Sequence, residues 1–457
     1  MLRVGAAVAL VAAHLLCVLT GTGEAAVAAR ASSVADAPAQ VTHVSGDPFP
    51  MAGQFDGLHE AFTVYRRIAE SGGWDELPTT RPMRQGNRNV DVPLVRARLA
   101  AEPGSTLRRH HPYPTFFDAE LDVAVRDFQR RHGLRADGVV GQATIDVLNV
   151  PARERARQIA TNLDRHARLW GETARRHVVV NIASAELYAI EDGRTVDTMR
   201  VIVGSARHQT PALSSKLTHF VLNPYWNVPR GIAVRSILPQ IQNDPEYIAT
   251  RGFQVYQGAG SGRIDPASID WAELSPRRFP YRLRQDPGPE NALGRIKFIF
   301  PNEYAVYLHD TPKRAEFVRS VRTRSNGCVR VQDPFRLASF LMGSQSGWTN
   351  SQLMQRVTSG NRRVVLLPES VPVHLAYFTV WVDARGEVHF RDDIYRRDHT
   401  APPADEPKPA APSDLAPRPL LAAPKQPVHP DVDDTPAAGG QPYAEQTMAD
   451  PRTDHPG

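Results

Sequence analysis

Two side chains suited to nucleophilic chemistry lie close together in this 457-residue chain. His309 is followed 19 residues later by Cys328, within Ser325-Asn326-Gly327-Cys328-Val329-Arg330-Val331. The second cysteine, Cys17, falls in an N-terminal apolar segment. Without that segment Cys328 is a lone thiol and has no intramolecular disulfide partner. A lone thiol in an oxidising compartment is either buried and inert or reactive for a reason. The reactive case is acyl transfer: a thiolate attacks a carbonyl, and an imidazole takes the thiol proton and returns it to the leaving amine. Gly327 has no Cβ, so a substrate can approach its backbone, where neighbouring N–H groups could meet a developing oxyanion. Arg322, Arg324 and Arg330 are near in sequence; positive charge there favours a thiolate and attracts a substrate carboxylate. Spacing alone leaves the inert reading open, because one cysteine and one of 16 histidines form a weak pair.

The elements that must position the pair follow from local pattern. A strand over Tyr304 to Leu308 would deliver His309, with Tyr304 and Tyr307 alternating with Ala305 and Val306 so that one face meets a cleft. A short helix is expected over Arg314 to Val321. Asp333-Pro334 reads as the N-cap and first turn of a helix running to Met342, which puts Cys328 on the preceding loop. Asp310 is expected to pair with a nearby arginine. Strands are also expected over 178–182, 186–190, 195–203, 295–300, 364–367 and 373–382. Asp192-Gly193 marks one hairpin and 383–386 another. Between them, residues from about 227 to 290 are irregular and rich in Pro, Gly and Asp, as in a functional lid. Trp226 opens this insertion and either lines the cleft or belongs to the core.

Upstream, Leu58, Phe62, Tyr65 and Ile68 recur on one helical face. Residues 87–150 read as a compact helical unit. Val92, Val95 and Leu99 share one face; Leu121, Val125 and Phe128 share another, with Asp118 as N-cap. A glycine-punctuated turn (133–141) precedes a short helix from Gln142 to Leu148, and a connecting helix follows within 151–175.

Composition narrows the function. The formal net charge is +5, only five of the 54 basic residues are lysine, and no arginine tract stands out, so no nucleic-acid partner is expected. No Cys, His or carboxylate spacing suggests a metal site, and one remaining thiol excludes multi-cysteine zinc clusters; neither metal nor cofactor is expected. At the N-terminus, Arg3, an apolar run from Val4 to Leu19 and Ala26-Val27-Ala28 read as an export signal over 1–28, either cleaved or retained as a membrane anchor. Residues 29–50 read as a flexible leader. Residues 398–457, with 14 prolines after residue 400, read as a disordered tail.

His309, a gap of 15 residues and then Ser325-Asn326-Gly327-Cys328 resembles the signature of the L,D-transpeptidase catalytic domain of the YkuD type. Pro287-Gly288-Pro289, Asn291-Ala292-Leu293-Gly294, Lys297-Phe298, Phe300-Pro301-Asn302 and Val306 to Pro312 are similar to the long Gram-negative subgroup. So are Trp381-Val382-Asp383 and Arg391 to Tyr395. Phe128, Gln129, Gly133, Leu134, Asp137, Gly138, Gly141, Thr144 and Leu148 resemble a peptidoglycan-binding domain, which would either bind glycan or serve as a packing module. The resemblance implies a multidomain α+β chain. It would comprise a helical scaffold segment (51–86), a three-helix peptidoglycan-binding-like domain (87–150), a connecting helix (151–175) and a mainly β catalytic domain (176–397) with an inserted lid.

It also implies a reaction. Cys328 attacks the carbonyl between the third residue of a peptidoglycan tetrapeptide stem, expected to be meso-diaminopimelate, and the terminal D-alanine. D-alanine leaves, and the amine of a second stem resolves the thioester. Carbapenem-type β-lactams would acylate the same thiol, and the protein would work in the periplasm at the cell wall. The implied site is His309 and Cys328 for catalysis, Gly327 at the oxyanion loop, and Ser325, Asn326, Arg330, Tyr307 and Trp226 for substrate. Two departures bear on this. Asn326 stands where the general signature has a second histidine, and Arg330 where it often has asparagine. Asn326 cannot act as a base, so His309 must carry every proton transfer, its other ring nitrogen oriented by a backbone carbonyl. Water or a protein amine as acceptor, or a non-catalytic wall-binding protein, are the alternatives. A papain-like arrangement is a poor third reading, because there the cysteine precedes the histidine.

Overall fold

The computed structural model describes residues 47–398, apart from 52, 79–80, 170–173, 259–261 and 344–346. The expected export signal with Cys17, nearly all of the leader and the Pro-rich tail lie outside the described residues.

Five helices open the described chain: α1 (Gln54–Glu70), α2 (Val92–Ala100), α3 (Ala119–Arg131), α4 (Gln142–Leu148) and α5 (Ala152–Ala167). α1 buries Leu58, Ala61 and Tyr65 at the three-to-four spacing of an amphipathic helix. Asp118 caps α3 by accepting the Leu121 N–H at 2.8 Å, satisfying one of the orphan donors of the first turn. α2, α3 and α4 enclose Val92, Val95, Leu99, Leu121, Val125, Phe128, Ile145 and Leu148. The turn between α3 and α4 is tied by buried Gln129. Its amide donates to the Val139 carbonyl at 2.9 Å and to Thr144 Oγ1 at 3.1 Å, and accepts the Gly138 N–H at 2.9 Å. α5 returns beside α1 over a core that Val380, Val382 and Phe390 complete.

The part expected to be catalytic is built from β1 (Arg176–Asn181), β2 (Glu186–Glu191), β3 (Arg194–Gly204) and β4 (Leu213–Leu222), followed by the insertion. The insertion holds β5 (Trp226–Asn227), α6 (Arg230–Ile232), α7 (Leu238–Asn243), α8 (Tyr247–Thr250), β6 (Phe253–Gln257), β7 (Arg263–Ile264) and β8 (Tyr281–Gln285). Then come β9 (Ile296–Ile299), β10 (Leu308–His309), β11 (Thr323–Ser325), β12 (Val329–Val331), α9 (Pro334–Met342), α10 (Asn350–Thr358), β13 (Arg363–Ala376), β14 (Val380–Val382) and β15 (Val388–Phe390). Nine strands form one sheet in the order β11-β3-β12-β10-β9-β4-β13-β1-β2, and a β2–β3 pairing closes it on itself. Its inner face supplies the main core, including Val180, Leu187, Val201, Phe220, Phe298, Leu308, Val329, Val331 and Val373, against Leu337 and Leu341 of α9 and Leu353 of α10.

Several elements differ from the sequence reading. The strand expected over Tyr304 to Leu308 is only Leu308–His309, because Ala305 takes φ 51° and breaks extended pairing; Tyr304 is exposed. The insertion is not irregular. Its four strands form a small sheet in the order β5-β8-β6-β7, and Ile237, Leu238, Ile241, Phe253, Val255 and Leu283 give it a separate core. The expected runs 364–367 and 373–382 are rearranged: β13 spans Arg363–Ala376, with a register shift between Leu366 and Val371, and β14 starts afresh at Val380. Residues 314–321 form only a 3₁₀ turn, Arg314–Val318. β4 and α10 carried no expectation.

Candidate active site

β10 lies parallel to β12 in the register Leu308↔Val329 and His309↔Arg330, and antiparallel to β9 with His309↔Lys297. Leu308, Val329 and Phe298 face the inner core. By the two-residue period of a strand, His309, Arg330, Lys297 and Tyr307 therefore share the outer face. Cys328 lies one residue before β12, the strand that runs parallel beside β10 and carries Arg330 opposite His309. Cys328 is half-buried and packs against the cluster of Val221, Leu293, Ile299 and Tyr307.

His309 is 5% exposed. Its Nδ1 lies 2.5 Å from the Asp310 carbonyl oxygen. A carbonyl only accepts, so Nδ1 carries the proton and Nε2 presents a lone pair. Burial, then the charge of Arg330, lower the imidazole to about 3, and Lys297 acts in the same direction. The imidazole is thus neutral at neutral pH. Asp310 turns its own carboxylate away from the ring. One oxygen accepts the Arg295 N–H at 2.8 Å; the other accepts the Thr311 N–H and pairs with Arg314, each at 2.7 Å. Gly294 permits this seat, since a Cβ there would lie 2.4 Å from the Asp310 carboxyl carbon.

The loop that carries Cys328 is clamped from within. Ser325 Oγ accepts the Gly327 N–H at 3.1 Å and donates to the Cys328 carbonyl at 2.5 Å, and the Val329 N–H donates to the Tyr307 carbonyl at 3.1 Å. Gly327 takes φ 116°, a conformation restricted to glycine.

The remaining expected residues divide by place. Asn326 is exposed at the loop tip. Arg330 pairs with Glu316 at 2.7 Å beside the His309 row. Tyr307 is buried, its ring 5.6 Å from that of His309. Trp226 packs against both the insertion core and the Tyr307 cluster, so it joins the insertion to the cysteine side of the sheet. Arg324 is exposed. Arg322 turns away and donates to the Ser184 and Ala185 carbonyls at 3.0 and 3.2 Å.

Two nearby residues were not among the expected site residues. Lys297 is fully buried, with its ammonium 4.2 Å from the Tyr307 ring centre. Thr210 donates to the Gly327 carbonyl at 2.8 Å. Alternation in β9 could have placed Lys297; no local pattern marks Thr210. Among the described residues, Asp383, Glu387 and His389 have ligand atoms within 4.8 Å of one another, but on the β14–β15 hairpin. There Asp383 accepts from His389 at 3.0 Å and Glu387 accepts from Arg130 at 2.9 Å.

Residues 175–365 match the family model of the "L,D-transpeptidase catalytic domain" (YkuD), and residues 89–148 match that of a "putative peptidoglycan binding domain". A curated relative from Haemophilus influenzae, named "Putative L,D-transpeptidase", is 39% identical over 221 residues. The match spans 48% of this chain and 44% of that protein, less than half of its length. Among solved structures, the chain is similar to an L,D-transpeptidase from Xylanimonas cellulosilytica (17% identity, 65% of this chain and 98% of that chain, TM-score 0.19). Another from Stackebrandtia nassauensis has 16% identity, 65% and 96% coverage and a TM-score of 0.25. The two domain matches, rather than these superpositions, carry the assignment. The chain therefore contains a YkuD-type L,D-transpeptidase catalytic domain, preceded by a domain of the peptidoglycan-binding family.

Proposed function

We propose that the protein is an exported L,D-transpeptidase that cross-links peptidoglycan stems through a thioester on Cys328. One observation supports this most: a neutral imidazole whose Nδ1 proton is held by the Asp310 carbonyl, leaving Nε2 as a base on the strand paired with the one that Cys328 precedes. In the proposed reaction, Nε2 takes the Cys328 proton as sulfur adds to the donor carbonyl, and the carbonyl electrons move onto oxygen. The oxyanion collapses, the C–N bond breaks, and the imidazolium proton goes to the leaving D-alanine amine. The acceptor stem amine then adds to the thioester and gives its proton to His309. Sulfur leaves and is reprotonated from the imidazolium, which restores thiol and base.

Arg330 and the exposed Asn326 are proposed to contact the donor peptide, with Tyr307 and Trp226 lining its path. The insertion would cover the bound donor and exclude water, favouring aminolysis over hydrolysis. The domain at 89–148 would hold the enzyme against peptidoglycan, on the periplasmic side and free or anchored at the N-terminus. Carbapenem-type β-lactams would acylate Cys328 by the same addition.

The test incubates the protein with tetrapeptide muropeptides and follows products by mass spectrometry. Cross-linked dimers and released D-alanine are expected. Tripeptide alone would assign a carboxypeptidase, and binding without products would make the protein a wall-binding module.

A further inference from the structure

The Gly327 carbonyl is gripped from a loop far away in sequence. Thr210 is fully buried between β3 and β4. Its hydroxyl accepts the Gly204 N–H at 2.9 Å, so its single proton is committed to the Gly327 carbonyl at 2.8 Å. In a trans peptide the C=O and N–H point in opposite directions. Fixing the Gly327 carbonyl toward Thr210 therefore aims the Cys328 N–H the other way. The flanking N–H groups of Gly327 and Val329 are engaged with Ser325 and Tyr307. Of these three consecutive donors, the Cys328 N–H is the one whose direction Thr210 sets.

Thr210 is braced in turn from the C-terminal end of the described chain. Its N–H donates to the Tyr395 hydroxyl at 3.2 Å, and that hydroxyl donates to the Gly204 carbonyl at 2.6 Å. The Tyr395 N–H donates to the Tyr377 hydroxyl at 2.8 Å, which donates to Asp393 at 2.6 Å. Arg397 adds a bond to the Thr210 carbonyl at 3.3 Å. Tyr395 lies 30 residues beyond the end of the matched catalytic domain at 365.

We propose that Thr210 is a positioning residue for acyl transfer, holding the Gly327–Cys328 peptide so that the Cys328 N–H meets the oxyanion, and that Tyr395 braces Thr210. This rests on the thioester reading above. The variants Thr210→Val, Thr210→Ser and Tyr395→Phe of the full chain are compared with wild type in two reactions. Acylation by a carbapenem passes through an oxyanion; alkylation by iodoacetamide uses the same thiol without one. For Thr210→Val, acylation is expected to fall about tenfold to a hundredfold while alkylation is unchanged. Thr210→Ser should restore most of the rate, and Tyr395→Phe should show a smaller loss of acylation alone.

Wild-type acylation by Thr210→Val, or parallel loss of acylation and alkylation, overturns the proposal. Should Thr210→Val fail to fold, Tyr395→Phe decides, and acylation at the wild-type rate overturns the brace. A wild-type protein that alkylates but never acylates contradicts the thioester reading itself.

Discussion

In the proposed mechanism His309 acts without a second imidazole, and two local features bear on how it would do so. A main-chain carbonyl fixes its tautomer, and cations on both neighbouring strands, Arg330 and Lys297, oppose its protonation. The groups that act on the ring are Tyr307 just before β10, the Asp310 carbonyl, Lys297 on β9 and Arg330 on β12. The acid limb of kcat/KM should therefore lie well below pH 6.5, the base remaining neutral until the pH nears about 3. Arg330→Gln removes one opposing charge, so the limb should move up by about one pH unit. A limb that stays in place would show that Arg330 does not act on the ring. Gly327→Ala forces a side chain into φ 116°. It should cost about 1–3 kcal/mol and slow acylation, which denaturant melts and acylation rates would separate.

At the scale of elements, much of the site was legible because short-range chemistry set it. Asp118 and Asp333 cap the helices that their positions indicated, accepting from Leu121 and Arg336. The Asp192-Gly193 turn joins β2 to β3, and the His309-to-Cys328 spacing returns the chain to an adjacent parallel strand. What escaped depends on distant partners. β4 is recognisable through its pairing with β9 and β13, and Thr210 matters through a carbonyl 117 residues away. The insertion read as irregular because its strands are short, and only its packed core shows it to be an ordered unit. Leu283 is 2% exposed in that core, so Leu283→Ala should cost the insertion about 2–5 kcal/mol of local stability. If the insertion excludes water, the ratio of hydrolysed tripeptide to cross-linked dimer rises in this variant. An unchanged ratio would remove that role.

Across the whole molecule, buried histidines tie stability to pH. His132 stacks on Phe128 and Phe390, and His166 on Phe378. Burial holds His132 well below its ordinary range and His166 at about 4, as it holds His309 near 3. Folded pKa values below the unfolded value of about 6.5 mean that the unfolded chain binds more protons under acid conditions. Stability is then fully present above pH 6.5 and falls as the pH drops toward 4, His166 alone accounting for on the order of 3 kcal/mol. Denaturant melts at pH 7.5, 5.5 and 4.5 should show this decline, and His166→Asn should flatten it. An identical slope in that variant would place the acid sensitivity elsewhere.

The central claim is that Cys328 carries the acyl group. Intact-mass spectrometry of the whole chain with a tetrapeptide donor or a carbapenem tests it directly. Wild type should gain one acyl adduct, located on the peptide containing Cys328. Cys328→Ala should gain none, and His309→Gln should acylate far more slowly. An adduct that persists in Cys328→Ala, or D-alanine release without any thioester in wild type, would contradict the account.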